Sequence, residues 1–250
     1  MADLGPVDAT WVIAALAVLC ATIVQTATGA GLGLIAGPAL LLAMGTDAAI
    51  HVAALLNLTL SLLLLPTEIR DVPRAHVAWL TAGAIVGLPF GAWALHGLDL
   101  PTLKTVAGAV VLLGGAQLAI GARRGATNLK TWHVGRFGAL AGAMTAALAI
   151  PGPAALWGLS RTALSPTAVR AGLRAFFCIA YLMTITMHAV IGLPWRIVLT
   201  ASLWMTPCLL VGGIAGHFIK GRVADNHMRV AFLALLMAMG GTLLIDGVAL

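Results

Sequence analysis

Of the 250 residues in this chain, 61% are hydrophobic and 9% are charged, against roughly 25% charged in an ordinary soluble domain. So few charges cannot cover a water-facing surface, which excludes a soluble globular protein and leaves one whose surface faces lipid. The formal net charge of +6 does not mark a nucleic-acid binder, because the basic residues stand in short connections between apolar runs, as in the cytoplasmic loops of membrane proteins.

At about 20 residues per crossing, the length allows about ten spans in a single membrane domain, 1–250. Asp3 and Asp8 precede the first apolar run, 9–28, where a cleaved signal would carry basic residues, so this run is expected to be a retained span. It carries Gln25, Thr26 and Thr28, and then meets Gly29, Gly31 and Gly33. Glycine lets the backbone unwind and approach a ligand closely; small residues also serve close helix packing. The apolar piece that follows, 31–45, holds Pro38 and is marginal for a crossing at about 1.5 Å per residue. The next span, 47–65, contains His51 near its start and Asn57 in its middle. Gln25 and Asn57 are candidates to hydrogen-bond a ligand's oxygens, helix-to-helix bonding being the other use.

Spans 75–96 and 100–121 follow. The first carries the small-residue stripe Gly83, Gly87 and Gly91, for close contact within the chain or with a second copy. Span 135–150 has a similar stripe at Gly138 and Gly142 and runs into Pro151, Gly152 and Pro153. Proline removes a donor and stops the preceding helix. The piece 152–160 is far too short to cross a hydrocarbon core of about 30 Å, so both short pieces are read as broken or re-entrant half-helices beside protein or a water-filled cavity. Amides at the start of such a half-helix suit an anion.

Span 166–191 holds Arg170 and Arg174, four apart and therefore on one face. Arg174 lies about two turns in, where an arginine costs ~2.5–3.5 kcal/mol on insertion scales and normally faces a cavity or a partner. The acids Asp3, Asp8, Asp47, Glu68, Asp71, Asp99, Asp225 and Asp246 all fall in loops or at span ends, so no carboxylate is expected at its depth. An anionic substrate, helix C-terminal carbonyls and snorkelling remain as partners for Arg174, and Arg170 has the same choices. Spans 196–219, with Gly212 and Gly216, and 227–248 complete the chain.

The histidines show no HExxH and no paired spacing with acids, and Cys20, Cys178 and Cys208 have no metal or redox spacing, so neither a metal, a cofactor nor an enzyme is expected. His51 and His188 alone are candidates for a proton relay at depth; a satisfied helix-end histidine is the other reading. Trp11, Trp79, Trp132 and Trp195 fall near span ends, as in an interfacial belt.

With the N-terminus outside, one side receives Arg70, Arg74, Arg123, Arg124, Lys130, Arg136, Arg161, Lys220 and Arg222, and Arg170, Arg174 and Arg229 start spans from it; only Lys104 and Arg196 fall opposite. That asymmetry predicts both termini outside, whether or not the short pieces cross. The chain also repeats weakly. Gly29–Gly33 aligns with 149–153, and Gly87-Leu88-Pro89-Phe90-Gly91 with Gly212-Gly213-Ile214-Ala215-Gly216; Lys104 then matches Arg229, and Gly115 matches Gly240. A first repeat, 9–121, and a second, 134–248, hold five elements each. Five is odd, so the halves lie oppositely in the membrane, the arrangement of secondary transporters with a midplane site. The expected fold is all-α: a polytopic membrane bundle of about 8–10 helices in two inverted repeats with broken or re-entrant helices.

The stretches Gly29-Ala-Gly-Leu-Gly-Leu-Ile-Ala-Gly-Pro38, Pro151-Gly-Pro-Ala-Ala-Leu-Trp-Gly-Leu-Ser-Arg161 and Leu164-Ser-Pro-Thr-Ala-Val-Arg170 resemble the two half-motifs of the sulfite exporter TauE/SafE family. Leu32, Ala149 and Pro151 stand where that pattern often has glycine. The resemblance covers nearly the whole chain and implies a two-repeat helical transporter for sulfite, sulfonates or related small anions in a bacterial inner membrane. The expected function is export of such an anion; an anion channel, or a membrane subunit of a larger complex, is the alternative. The expected substrate-binding residues are Gly29, Gly31, Gly33, Pro38, Gln25, Asn57, Pro151, Gly152, Pro153, Arg170 and Arg174. The expected partners are the small anion, the lipid bilayer and a second copy in a homodimer, with no nucleic acid. With no deep carboxylate, export down the membrane potential, worth ~2.3 kcal/mol per charge per 100 mV, needs no proton.

Overall fold

The computed structural model describes residues 9–121, 129–219 and 225–249. Ten α-helices follow one another there, with no strand among the described residues: α1 (Ala9–Thr28), α2 (Leu32–Met44), α3 (Ala48–Leu64), α4 (Arg74–Gly97), α5 (Leu100–Gly121), α6 (Val134–Leu148), α7 (Gly152–Ser160), α8 (Pro166–Ile191), α9 (Trp195–Ile219) and α10 (Asp225–Ala249). The eight expected spans and two short pieces correspond to these helices within a few residues. Six of them, α1, α3, α4, α5, α8 and α9, are long and apolar enough to cross a membrane. Leu16, Ile85, Val86, Phe90, Trp93, Leu203, Val211 and Ile214 point outward, an apolar exterior that suits lipid and not water. Trp11 departs from the expected belt: it is buried in the core, while Trp79, Trp132 and Trp195 are exposed.

Small residues decide which helices meet. A Cβ at Gly87 would land on the Ala139 carbonyl, and one at Gly91 on the Ala143 carbonyl, so α4 lies directly on the backbone of α6. In the same way Gly212 faces Leu19 and Thr22, and Gly216 faces Ile23 and Thr26, so α9 lies on α1. Contacts advance in the same direction along both helices of each pair, so both pairs run parallel. In lipid, where no hydrophobic drive separates helix from solvent, such close backbone approach is what holds helices together. The stripes expected to meet either this chain or a second copy are thus filled within the chain. α5 packs antiparallel on α10, where Gly108 meets Gly240 and Lys104 pairs with Asp246 at 2.5 Å. The side chain of Arg229, the expected counterpart of Lys104, lies outside the described residues.

α3 and α8 pack together at the centre, with α2 against α3 and α7 against α8. The two short helices are about 20 Å and 14 Å long at 1.5 Å per residue. Neither crosses a core of about 30 Å, and both are largely buried by their neighbours.

Candidate functional site

Each short helix begins at a break in the backbone. After α1, Gly29 takes φ +94° and Gly31 φ +149°, conformations that an L side chain rarely adopts. Gly29 is also crowded: a Cβ there would strike the Arg170 side chain. The new helix starts with Gly31 as its cap, which has no side chain to hold a first-turn amide. Gln25, one turn before the end of α1, supplies that acceptor: its Oε1 takes the Leu32 N–H at 2.7 Å. Gln25 therefore does hydrogen-bond work at the break, to the protein's own backbone.

The second break is made without glycine at its tightest point. Ala149 sits at φ +56°, the one non-glycine residue with positive φ among the described residues. This left-handed turn ends α6 at Leu148, two residues before the expected end of span 135–150. The Ala149 carbonyl is turned inward, where Tyr181 Oη donates to it at 3.0 Å. Gly33 lies against that same carbonyl so closely that no Cβ fits between them. Gly152 faces Ala30 and Phe177. The two breaks, more than a hundred residues apart in sequence, therefore touch.

Between them is a small cleft lined by Gln25, Gly31 and Gly33 from one side, Ile150, Pro151 and Gly152 from the other, and Phe177 and Tyr181 of α8 as its wall. Its free space is about that of one water molecule, too little for a polyatomic anion. Five expected residues, Gln25, Gly31, Gly33, Pro151 and Gly152, meet here. Gly29 is set back against Arg170. Pro153 opens α7, and its carbonyl accepts from Gln117 Nε2 at 3.0 Å. Pro38 is buried inside α2, beyond the cleft lining. Asn57 is buried in α3; its amide donates to the Ala53 carbonyl at 2.8 Å while its Oδ1 has no hydrogen-bond partner.

The expectation that no carboxylate reaches the arginines is corrected. Glu68 lies in the tight turns after α3, Leu65–Thr67 and Ile69–Asp71, which fold its side chain inward to 5% exposure. It accepts from Arg170 Nε at 2.8 Å and meets Arg174 Nη1 at 2.5 Å. Arg174, 2% exposed, also donates from Nη2 to the Thr26 carbonyl at 2.6 Å, which caps the negative end of α1. A carboxylate, which the sequence reading excluded, and a helix-end carbonyl, which it kept as a candidate, thus hold Arg174 inside the protein, and it does not snorkel. Two guanidiniums around one carboxylate leave a surplus positive charge beside the first break.

Sequence reasoning missed Glu68, Phe177, Tyr181 and Gln117. Tyr181 is the chain's one tyrosine, in the middle of a span, and that was a usable signal. Glu68 is the chain's one glutamate among seven aspartates, a second signal that was available, though its loop position gave no hint of burial.

A family model for the sulfite exporter TauE/SafE matches residues 14–243. No curated protein and no solved structure matches the chain.

Proposed function

We propose, because this chain belongs to the sulfite exporter TauE/SafE family, that it exports a small sulfur-containing oxyanion, sulfite or a sulfonate, through the cleft between its two helix breaks. The protein is a multi-pass membrane transporter, and in this reading it lies in an inner membrane with both termini outside. The observation that carries the reading is that the breaks before α2 and α7 face one cleft. The amide ends of two half-helices then converge on one point from opposite directions, and a helix N-terminus favours negative charge.

The inverted repeats, 9–121 and 134–248, are part of the proposal. Exchanging the first five helices with the last five turns the α1–α9 contact into the α6–α4 contact, and leaves α3–α8 and α5–α10 as self-pairs. Residue by residue, Gly87 on Ala139 and Gly91 on Ala143 correspond to Gly212 on Leu19 and Gly216 on Ile23. A two-fold relation of this kind puts the substrate site at the repeat interface.

In this reading Arg170 and Arg174 attract the anion from the cytoplasmic side, and Glu68 holds them while the site is empty. The cleft opens by movement at the breaks, where Gln25, Gly29 and Gly31 set the backbone. Pro38, Asn57 and Pro153 support the half-helices and lie outside the cleft lining.

The test is a thermal-shift screen of purified protein against sulfite, thiosulfate, sulfoacetate, taurine, sulfate and simple carboxylates. A ligand that binds only the folded form raises the melting temperature. Radiolabelled sulfite flux in proteoliposomes follows. Saturable, counterflow-stimulated flux that Arg174→Ala abolishes, with the size-exclusion profile kept, supports the reading. Single-channel currents would replace it with a pore, and absence of any anion effect would remove it.

A further inference from the structure

The opposite end of the α3–α8 pair holds a second polar cluster that transport through the cleft does not use. His51, in the first turn of α3, and His188, in the last turn of α8, have ring centroids 4.7 Å apart. His96, in the last turn of α4, stands 5.7 Å from His188. The burial is graded: His96 is exposed, His188 is 1% exposed and His51 4%. Neither ring nitrogen of His51 or His188 has a hydrogen-bond partner. The Asp47 carbonyl, one turn before His51, is near its ring but outside hydrogen-bond geometry.

Four buried, unpartnered ring nitrogens are costly, and a group left so in a folded protein calls for a reason. An imidazole can accept a proton on one nitrogen while donating one from the other. A row from an exposed ring to two buried ones is the geometry of proton entry. The row also continues inward. Thr184, on α8 one turn before His188, has a buried hydroxyl without a partner. Tyr181, another turn on, reaches the Ala149 carbonyl at the second break. Arg174, Tyr181 and His188 recur every seven residues, about 10.5 Å apart along one face of α8.

Among the described residues, few other charges face the row. Asp47, exposed at the start of α3, is the carboxylate that acts on His51 and His188. On α9, Arg196 stands exposed at the same membrane face. Neither α2 nor α7 carries an ionisable side chain, and Arg136 of α6 lies at that helix's far end.

We infer that His96, His188 and His51 form a proton-binding relay that carries protons from the face where α3 begins towards the cleft, coupling proton movement to that of the anion. The coupling rests on the transport reading above; proton binding by the histidines does not, and two measurements keep them apart.

The first is NMR of isotope-labelled histidine in purified protein without any anion, over a pH range that extends well below that of free imidazole. The His51 and His188 resonances are expected to move together, and His188→Gln to alter the His51 curve. Resonances that stay fixed, or titrate independently, would overturn the relay. The second is proteoliposomes containing a pH dye, with the membrane potential clamped, sulfite as probe, and the pH change due to sulfite's own protonation equilibrium subtracted. The wild type is expected to show a pH change that accompanies sulfite flux, lost in His51→Gln and His188→Gln and slowed in His96→Gln, with each variant checked by size exclusion. Sulfite flux without a pH change, or variants that keep the wild-type ratio, would overturn the coupling. Titrating rings with no sulfite flux would remove the transport reading and leave the proton site standing.

Discussion

Glu68 and Arg174, separated by the whole middle of the sequence, form a buried ion pair at 2.5 Å, with Arg174 also on the carbonyl of Thr26. Removing one partner of a buried pair leaves the other charge unpaired in a low-dielectric site, at a cost of about 3–5 kcal/mol. Glu68→Gln is therefore expected to lower the melting temperature in detergent. Glu68→Gln with Arg174→Gln is expected to lose less than the sum of the two single changes, as coupled neighbours do. Glu68→Gln also frees the arginines, so the sulfite concentration giving a half-maximal thermal shift falls. Additive losses would show that the pair contributes nothing to stability.

The left-handed turn at Ala149 makes an opposite prediction. A residue with a Cβ costs roughly 1–2 kcal/mol in that conformation, so Ala149→Gly is expected to raise the melting temperature. Gly29→Ala is expected to lower it, because both the backbone angle and the Arg170 side chain exclude a Cβ. Shaving the arginine does not rescue it, since the backbone strain stays. Differential scanning fluorimetry of Ala149→Gly, Gly29→Ala and Gly29→Ala with Arg170→Ala decides.

Helix contacts through glycine can be tested by position. Gly87→Val puts a side chain into the backbone of α6 and is expected to abolish the monodisperse folded peak, as is Gly216→Val on α1. Gly241 has nothing within 4 Å of a built Cβ. Gly241→Ala is expected to add stability of about 0.5–1 kcal/mol through the helix backbone. Equal behaviour of the three would mean that the stripes are not contacts.

Tyr181→Phe deletes the hydroxyl that reaches the Ala149 carbonyl and little else. The expected loss is about 1 kcal/mol of stability, with weaker sulfite binding if the cleft is the site. A change in binding far beyond the change in melting temperature would make the hydroxyl itself a ligand group.

Much of the fold was legible because membrane helices announce themselves in runs of about twenty apolar residues, and because proline and glycine mark the two breaks. The stripes at Gly87 and Gly212 announced close packing, though not which helix they pack on. The arginine pair was legible as an anomaly, but its partner was not. Glu68, the chain's one glutamate, sits in a loop by sequence, and local sequence carries no record of the two tight turns that fold it back to the arginines of α8. His51 and His188 were singled out by depth. His96 was passed over because only the antiparallel run of α4 and α3 brings its end to theirs.

The crossed packing of α1 on α9 and of α6 on α4 means that neither set of five helices owns a complete interior. Each lends its opening helix to the other, like two hands clasped. A chain severed between residues 121 and 129 and produced as separate pieces would leave the glycine-lined grooves of each fragment facing lipid. Only the two fragments made together are expected to regain a folded, pairwise-locked protein.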